Sequence, residues 1–380
     1  MSLNSLVSAV EGAQWVLRCK NLNDSINFLT TRLGFKVRMI MPSEAPTIAV
    51  LSAHGCTVRL ELVPKSTPNA TPDAAHLRLL CTRALLPAGT PSRLSGPDGM
   101  VVDLVDAHAP VHVPPPVQEF VLTRLAGPES WGVGRAGMLY RDLIPSRLNG
   151  RFVASHILLP QGGMVPDYVH YHRVRFQVIF CKAGWVRLVY EDQGGPFILQ
   201  AGDCVLQPPE IRHRVLESSA GAEVVEIGCP AIHETHADPA MRLPTGAWLP
   251  ERSYQSQKFV RHIAAGASWG PSRLPGFEAR DTGIAAATEG LGGVRVLRPA
   301  AGPAHAAVDA EALGAPGAHQ GEFLFLFVLA GQCELGSAVL GQHALHAGDS
   351  CVLPAGADYR LSPAPGLELL EVTLPARLPA

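Results

Sequence analysis

Runs of like charge, membrane-length apolar runs and paired cysteines are all missing from this 380-residue chain. The 31 basic and 33 acidic side chains leave a formal net charge of −2. No stretch gathers more than a few charges of one sign, so neither a nucleic-acid footprint nor a polybasic membrane anchor is present. No apolar stretch approaches the ~18–20 residues a spanning helix needs. The N-terminus lacks the charged-then-apolar pattern of a secretory signal. The eight cysteines, Cys19, Cys56, Cys81, Cys181, Cys204, Cys229, Cys333 and Cys351, form no Cys-x-x-Cys pair. Most sit in apolar, strand-like contexts and read as reduced, buried thiols of a cytoplasmic protein. A phosphate-cradling glycine loop with lysine, a Gly-x-Ser-x-Gly elbow and a His-Glu-x-x-His helix are absent too, which disfavours nucleotide and serine hydrolysis. The expected partner is a small molecule, with no nucleic acid and no membrane.

What is present is turn chemistry. The 37 glycines and 33 prolines are spread along the chain, as in a protein of many short strands. A hydrophobic content of 47% over this length supports two or three packed domains. The run Pro-Val-His-Val-Pro-Pro-Pro at 110–116 reads as a stiff linker. It separates a first module, 1–109, from two strand-rich segments, 117–249 and 250–380.

Those two segments repeat each other. Phe120-Val121 returns as Phe259-Val260, Trp131-Gly132 as Trp269-Gly270, and Arg141-Asp142 as Arg280-Asp281. His172 returns as His319 and Gly184 as Gly331. Ala201-Gly202-Asp203-Cys204 returns as Ala347-Gly348-Asp349-Ser350, and Pro208 as Pro354. The order is kept throughout, with one insertion between two aligned blocks, so the chain carries an internal duplication. Alternating runs such as Val186–Tyr190, broken by turns such as Ala201-Gly202-Asp203, predict a β-sandwich or barrel in each copy.

The first copy holds the sequence Tyr168-Val169-His170-Tyr171-His172. Side chains at i and i+2 of a strand share a face, roughly 6.5–7 Å apart. His170 and His172 can therefore converge on one ion, and Gln177 and His213 are spaced so that further strands could complete the site. Gly163-x6-His170-x-His172-x4-Gln177-x6-Gly184 resembles the first motif of the cupins, with Gln where Glu is usual. Gly202-x5-Pro208-x4-His213 resembles the second. Two copies in tandem, over roughly 117–378, resemble a bicupin. The resemblance implies two tandem jelly-roll β-barrels. It also implies that His170, His172, Gln177 and His213 hold one divalent transition metal, of which Fe, Ni, Zn and Mn suit imidazole. A neutral Gln177 leaves the ion's charge less compensated and its Lewis acidity stronger. The alternative is a degenerate site whose histidines serve packing and hydrogen bonding.

In the second copy only His319 survives. Gly317 falls where His170 would, Leu324 where Gln177 would and Tyr359 where His213 would, while Glu322 is at best a shifted ligand. That barrel is expected to be metal-free and structural. Around the first site, Arg175 and Arg212 are candidates for clamping a substrate carboxylate, against a plain role as rim charges; Arg173 shares their loop. Tyr168 has the parity of His170 and could line the mouth. Tyr171 should point away. Cys181 should follow Gln177 inward, and His156 could support the ligands or touch substrate. His233 and His236 read as a surface cluster in an inter-domain loop.

The first module predicts a strand from Gln14, a helix over 21–33 capped by Asn21 or Asn23 and ended by Gly34, then strands at 35–39, 47–51 and 57–62. Further strands follow at 76–81 and 101–105, with a turn at Gly96–Gly99. This βαβββ order resembles a vicinal oxygen chelate (glyoxalase/bleomycin-resistance) module, abbreviated in its second half. Gln14, Glu61, His76 and Asp103 fall near that family's ligand positions, and could equally be solvated strand residues.

The fold class expected is thus mostly β, with a small α+β module before two barrels. The function the bicupin resemblance implies is a metal-dependent enzyme acting on a small carboxylated or oxygenated compound, with dioxygenase-type chemistry foremost. A non-redox isomerase or lyase, and a ligand-binding or sensor protein with a structural metal, stand as alternatives. An anionic substrate and a homodimer are expected with it.

Overall fold

A computed structural model describes residues 8–63, 76–95, 101–126, 131–134, 137–300 and 318–377. The protein is mostly β and divides into two units, Met1–His112 with His233–Asp238, and Val113–Ile232 with Pro239–Ala380.

In the first unit the strand Val10–Cys19 leads into the helix Leu22–Leu33 and the strands Lys36–Met41, Ile48–Ala53 and Cys56–Leu62, the βαβββ order the sequence predicts. The Asn21 side chain accepts from Asp24 N at 3.2 Å and caps the helix. Gly34 stops it at φ 71°, a left-handed conformation that favours glycine. Helix residues Leu22, Ile26 and Leu29 pack on Leu51, Val58 and Leu60. The strand Val10–Cys19 runs parallel to Cys56–Leu62 and antiparallel to His76–Cys81, which lies parallel to Val101–Asp106. The turn expected at Gly96–Gly99 lies outside the described residues. His233–Asp238 is no surface loop, because Thr235–Ala237 pairs with the strand Lys36–Met41 and Thr235 is fully buried.

The second unit holds two sandwiches of the jelly-roll kind. In the first barrel a seven-stranded sheet runs Val260–His262, Cys204–Leu206, Phe176–Ala183, Ala222–Cys229, Val153–Leu159, Leu139–Asp142, Gly132–Val133. Facing it are Phe197–Gln200, Trp185–Tyr190, His213–Ser218 and His170–His172, with Gly163–Met164 beside His213–Ser218. The second barrel repeats the large sheet as Val121–Thr123, Ser350–Val352, Phe323–Ala330, Glu368–Leu374, Gly293–Pro299, Phe277–Asp281, Gly270–Pro271. Its facing sheet is Gly341–His346, Gln332–Ser337 and Arg360–Pro363.

The duplication is written in the register. Ile179 pairs with Glu226 and Leu326 with Glu371; Arg141 pairs with His156 and Arg280 with Val296. The copies also exchange strands. Val121–Thr123, which precedes the first barrel, lines up on Ser350–Val352 of the second, and Val260–His262 lines up on Cys204–Leu206 of the first. Each exchange covers the outer edge of a strand that is otherwise paired on one side only. Asp349 Oδ1 accepts from Leu125 N at 2.8 Å, and Asp203 Oδ1 accepts from Ala264 N at 2.8 Å. Arg141 donates to Gly348 O and Arg280 to Gly202 O, each across to the other barrel. Both turns carry glycine at φ 91°, a conformation that strains any side chain.

The outer faces of the two large sheets pack together through one apolar core. Phe176, Val178, Phe180 and Ile227 of the first barrel meet Phe323, Phe325, Phe327 and Val372 of the second. Phe152 stacks on Phe323 at a ring separation of 4.0 Å. Because strands of both large sheets are buried on both faces, their side chains do not alternate between apolar and polar.

Candidate metal centre

Three imidazoles meet inside the first barrel. His170 and His172 share a face of one short strand, and His213 pairs directly with His170 across the ladder. Their candidate ligand atoms all lie within 4.8 Å of one another. Ring centroids are 4.3 Å apart for His170 and His213, 5.1 Å for His170 and His172, and 5.2 Å for His172 and His213. Exposure is 0, 6 and 4% for His170, His172 and His213, so the cluster is shielded from bulk water.

Backbone carbonyls fix the ring orientation. His170 Nδ1 lies 2.8 Å from Tyr168 O, and His213 Nδ1 lies 3.0 Å from Ile211 O. A carbonyl only accepts, so each Nδ1 carries a proton, an arrangement that in a neutral ring leaves the lone pair on Nε2. An outer hydrogen bond of this kind holds a metal-binding histidine in one tautomer. The donor set therefore fits a divalent transition ion.

Gln177, on a strand of the facing large sheet, is buried and donates from Nε2 to Glu226 Oε1 at 2.5 Å. Glu226 was not foreseen from the sequence. It faces inward because it pairs with Ile179, which has the parity of Gln177. Its only sequence signal is one charge within the apolar run Val224-Val225-Glu226-Ile227. Glu226, His172, His213 and Gln207 share the lining of a cavity whose empty volume, mouth included, is about 560 Å³. The rest of the lining is Met138, Tyr140 and aliphatic side chains. Tyr190 stacks beside His213, 5.4 Å away, and donates to Gln207 Oε1 at 2.5 Å. Burial, with the Glu226 charge adding to it, pushes the Tyr190 phenol well above its ordinary value, so it stays protonated.

The other candidates stand apart from the cavity. Arg175 donates to Glu322 Oε1 at 2.7 Å, and Arg151 reaches the same oxygen at 2.9 Å. Glu322 is thereby tied into an ion pair between the barrels and is no shifted ligand. The Arg212 guanidinium lies 4.0 Å over the Tyr171 ring and donates to Glu210 O at 3.0 Å. Arg173 approaches Glu210 at 3.7 Å. The Tyr168 ring meets His170 edge-on at 5.8 Å. Cys181 is buried, with its thiol pushed up to about 12 by burial.

His156 does not support the ligands. It pairs with Arg141 and Val225 on the outer side of the sheet. There Nδ1 accepts from Arg141 Nη2 at 3.1 Å and Nε2 donates to Glu223 Oε2 at 2.6 Å.

The second barrel replaces the centre with an ion pair. Leu335 pairs with Leu361 as Leu188 pairs with Val215, which puts Tyr359 in the place of His213. Arg273 donates from Nη1 to the Tyr359 hydroxyl at 2.7 Å and from Nη2 to Glu371 at 2.5 Å. Leu324 and Leu326 fill the floor. His319 spends both ring nitrogens on backbone, accepting from Gly321 N at 3.2 Å and donating to Leu353 O at 2.9 Å. Gly317 lies outside the described residues.

In the N-terminal unit, Gln14, Glu61, His76 and Asp103 form no such group. Asp103 is taken by His76 at 2.8 Å and Arg93 at 2.6 Å, and Glu61 by Arg59 at 2.6 Å. Two arginine-linked carboxylates on separate strands of one sheet are ordinary sheet surface. Among the described residues, His170, His172 and His213 are the one metal-capable group. No described helix is long and apolar enough to cross a membrane.

No protein-family model and no curated protein matches the chain. Solved structures with a similar fold are found at low identity. Protein Ylba from E. coli is 12% identical at a TM-score of 0.47, covering 68% of this chain and 92% of its own. The Lactobacillus farciminis oxalate decarboxylase formate complex is 13% identical at 0.47, covering 68% and 87%. A Bacillus subtilis oxalate decarboxylase described for its Mn(II) centres is 10% identical at 0.46, covering 70% and 79%. Likenesses this remote say nothing of chemistry.

Proposed function

We propose that the first barrel is a mononuclear metal centre of an enzyme acting on a small oxygenated compound. His170, His172 and His213 are its nitrogen ligands. Gln177 is the fourth ligand through Oε1, the amide atom left once Nε2 is spent on Glu226. The observation that carries this reading is the buried triad whose Nδ1 protons on His170 and His213 are held by carbonyls. A packing role needs no such common tautomer. A bound divalent ion would supply Lewis acidity toward a substrate oxygen and, if it is redox-active, dioxygen chemistry.

The rest of the site selects. Its aliphatic walls suit a substrate with an apolar body, oriented by Tyr190 through Gln207. Neither Arg175 nor Arg212 is among the lining residues. A substrate carboxylate would thus be met by the cation at the triad rather than by an arginine fork. Dioxygenase-type turnover is the leading chemistry. Glu226, a carboxylate inside the cavity, favours the non-redox isomerase or lyase as the second reading, since such reactions need a proton acceptor.

Elemental analysis of purified protein tests the centre. About one equivalent of Fe, Mn, Ni or Zn per chain is expected, with loss in His172→Ala and His213→Ala. Full retention in both variants would sink the assignment. Substrate-dependent oxygen uptake then selects the redox chemistry, and turnover without it the non-redox one.

A further inference from the structure

We propose that Glu226 carries the negative charge of the metal centre, at a position neither histidine motif specifies. The proposal rests on the metal reading above. The first motif has Gln177 where a carboxylate is usual, so the four ligands named there are all neutral. Glu226 lies one strand over, on Ala222–Cys229, and is turned to the same interior by its pairing with Ile179 and Ser155. It lines the cavity with His172 and His213 and accepts from the Gln177 amide. Gln177 thus aims the carboxylate as well as standing in for one.

The second barrel gives an internal comparison. Glu371 has the same register as Glu226, paired with Leu326 and Arg295 where Glu226 pairs with Ile179 and Ser155. Glu371 is 1% exposed and faces a cation in Arg273, whose guanidinium also contacts Tyr359 in the place of His213. Arg295 adds a second cation at 3.6 Å. Both copies have therefore kept an inward carboxylate at one ladder position. In the second it faces a guanidinium held beside Tyr359; in the first, the corresponding ground belongs to the imidazoles. A carboxylate held in an apolar-walled cavity is stable where a cation faces it. The geometry points to a metal ion as that cation in the first barrel, with charge compensation that favours retention of a divalent ion over a neutral ligand set.

Zn²⁺ titrated into metal-stripped full-length protein, followed by calorimetry, tests this. E226Q should bind Zn²⁺ on the order of 10–100-fold more weakly, the usual effect of losing an outer partner of a metal site. The swap Q177E/E226Q, which keeps the hydrogen bond and returns one carboxylate, should recover most of that loss; no recovery would show that the lost charge is not what weakens E226Q. Infrared difference spectra of the wild-type protein with and without Zn²⁺ serve if E226Q does not fold: a carboxylate stretch should move on loading. Wild-type affinity in E226Q, or an unmoved carboxylate band, overturns the role of Glu226 while H213A still loses the ion. Retention of Zn²⁺ by H213A overturns the centre itself and this proposal with it.

Discussion

The guanidinium of Arg273 lies 2.5 Å from the carboxylate of Glu371, inside a barrel whose other wall residues are mostly leucine. Removing one partner of a buried pair leaves the other charge without compensation, which costs more than the pair itself is worth. Arg273→Met should destabilise the protein by about 3 kcal/mol, the low end for such a break because Arg295 still approaches Glu371 at 3.6 Å. Adding Glu371→Leu to the same chain should recover most of the loss. Urea denaturation of the two variants checks this, and a single variant as stable as wild type would show that the pair holds nothing in place.

The strand exchange makes a symmetric prediction. Asp203 accepts from Ala264 N with one oxygen and from Gln200 N at 3.0 Å with the other. Asp349 does the same with Leu125 N and His346 N at 3.0 Å. Each carboxylate pins the incoming strand of the other barrel to its own turn. Asp203→Ala and Asp349→Ala should each cost roughly 1–3 kcal/mol, the net loss of part-buried hydrogen bonds to a charged group. Thermal denaturation should show similar losses for both. A loss confined to one variant would mean that the exchange stabilises only one barrel.

The cysteines should be chemically quiet in the folded protein. Six are buried, and Cys19 and Cys56 are half-buried. Burial pushes the thiols of Cys204 and Cys333 up to about 12, which removes the reactive thiolate at neutral pH. An aromatic disulfide reagent should titrate no more than two thiols natively and all eight in denaturant. Rapid native reaction of more than two would contradict the packing of these strands.

The sequence shows the duplication, the turns and the histidine triad because each is a local pattern. His170 and His172 declare their shared face through i, i+2 spacing alone. Glu226 and His156 are illegible for a common reason. Their strands, Ala222–Cys229 and Val153–Leu159, are covered on both sides, so alternation does not say which face is the interior. Only the ladder register turns Glu226 inward and His156 outward. Arg175 looks like a rim charge until its partner is seen, and Glu322 is distant in sequence. Thr235–Ala237 likewise pairs with a strand of the first module, Lys36–Met41, a pairing no local signal announces.

The outward face of His156 also sets a pH dependence. Burial, the largest influence, lowers the imidazole below its usual 6.5, and the neighbouring Arg141 guanidinium works in the same direction against the opposing pull of Glu223. Arg141 donates to Nδ1, so a second proton has no place without breaking that bond. The unfolded chain therefore binds this proton more readily than the folded one, and stability falls as pH drops below about 6.5. Glu223 is held down to about 2 by its hydrogen bonds from His156 and Lys182, against an ordinary 4.5. Its contribution is present above pH 4.5 and fades toward 2, and it is reduced by partial exposure to solvent. Stability should then decline in two stages on acidification, first from about pH 6.5 and again below about 4.5. In His156→Gln, whose amide can accept from Arg141 and donate to Glu223 while carrying no charge, the upper stage should vanish and the lower one persist. Denaturant midpoints from about pH 8 to about pH 2 measure both stages. An unaltered upper stage in the glutamine variant would assign it to another group.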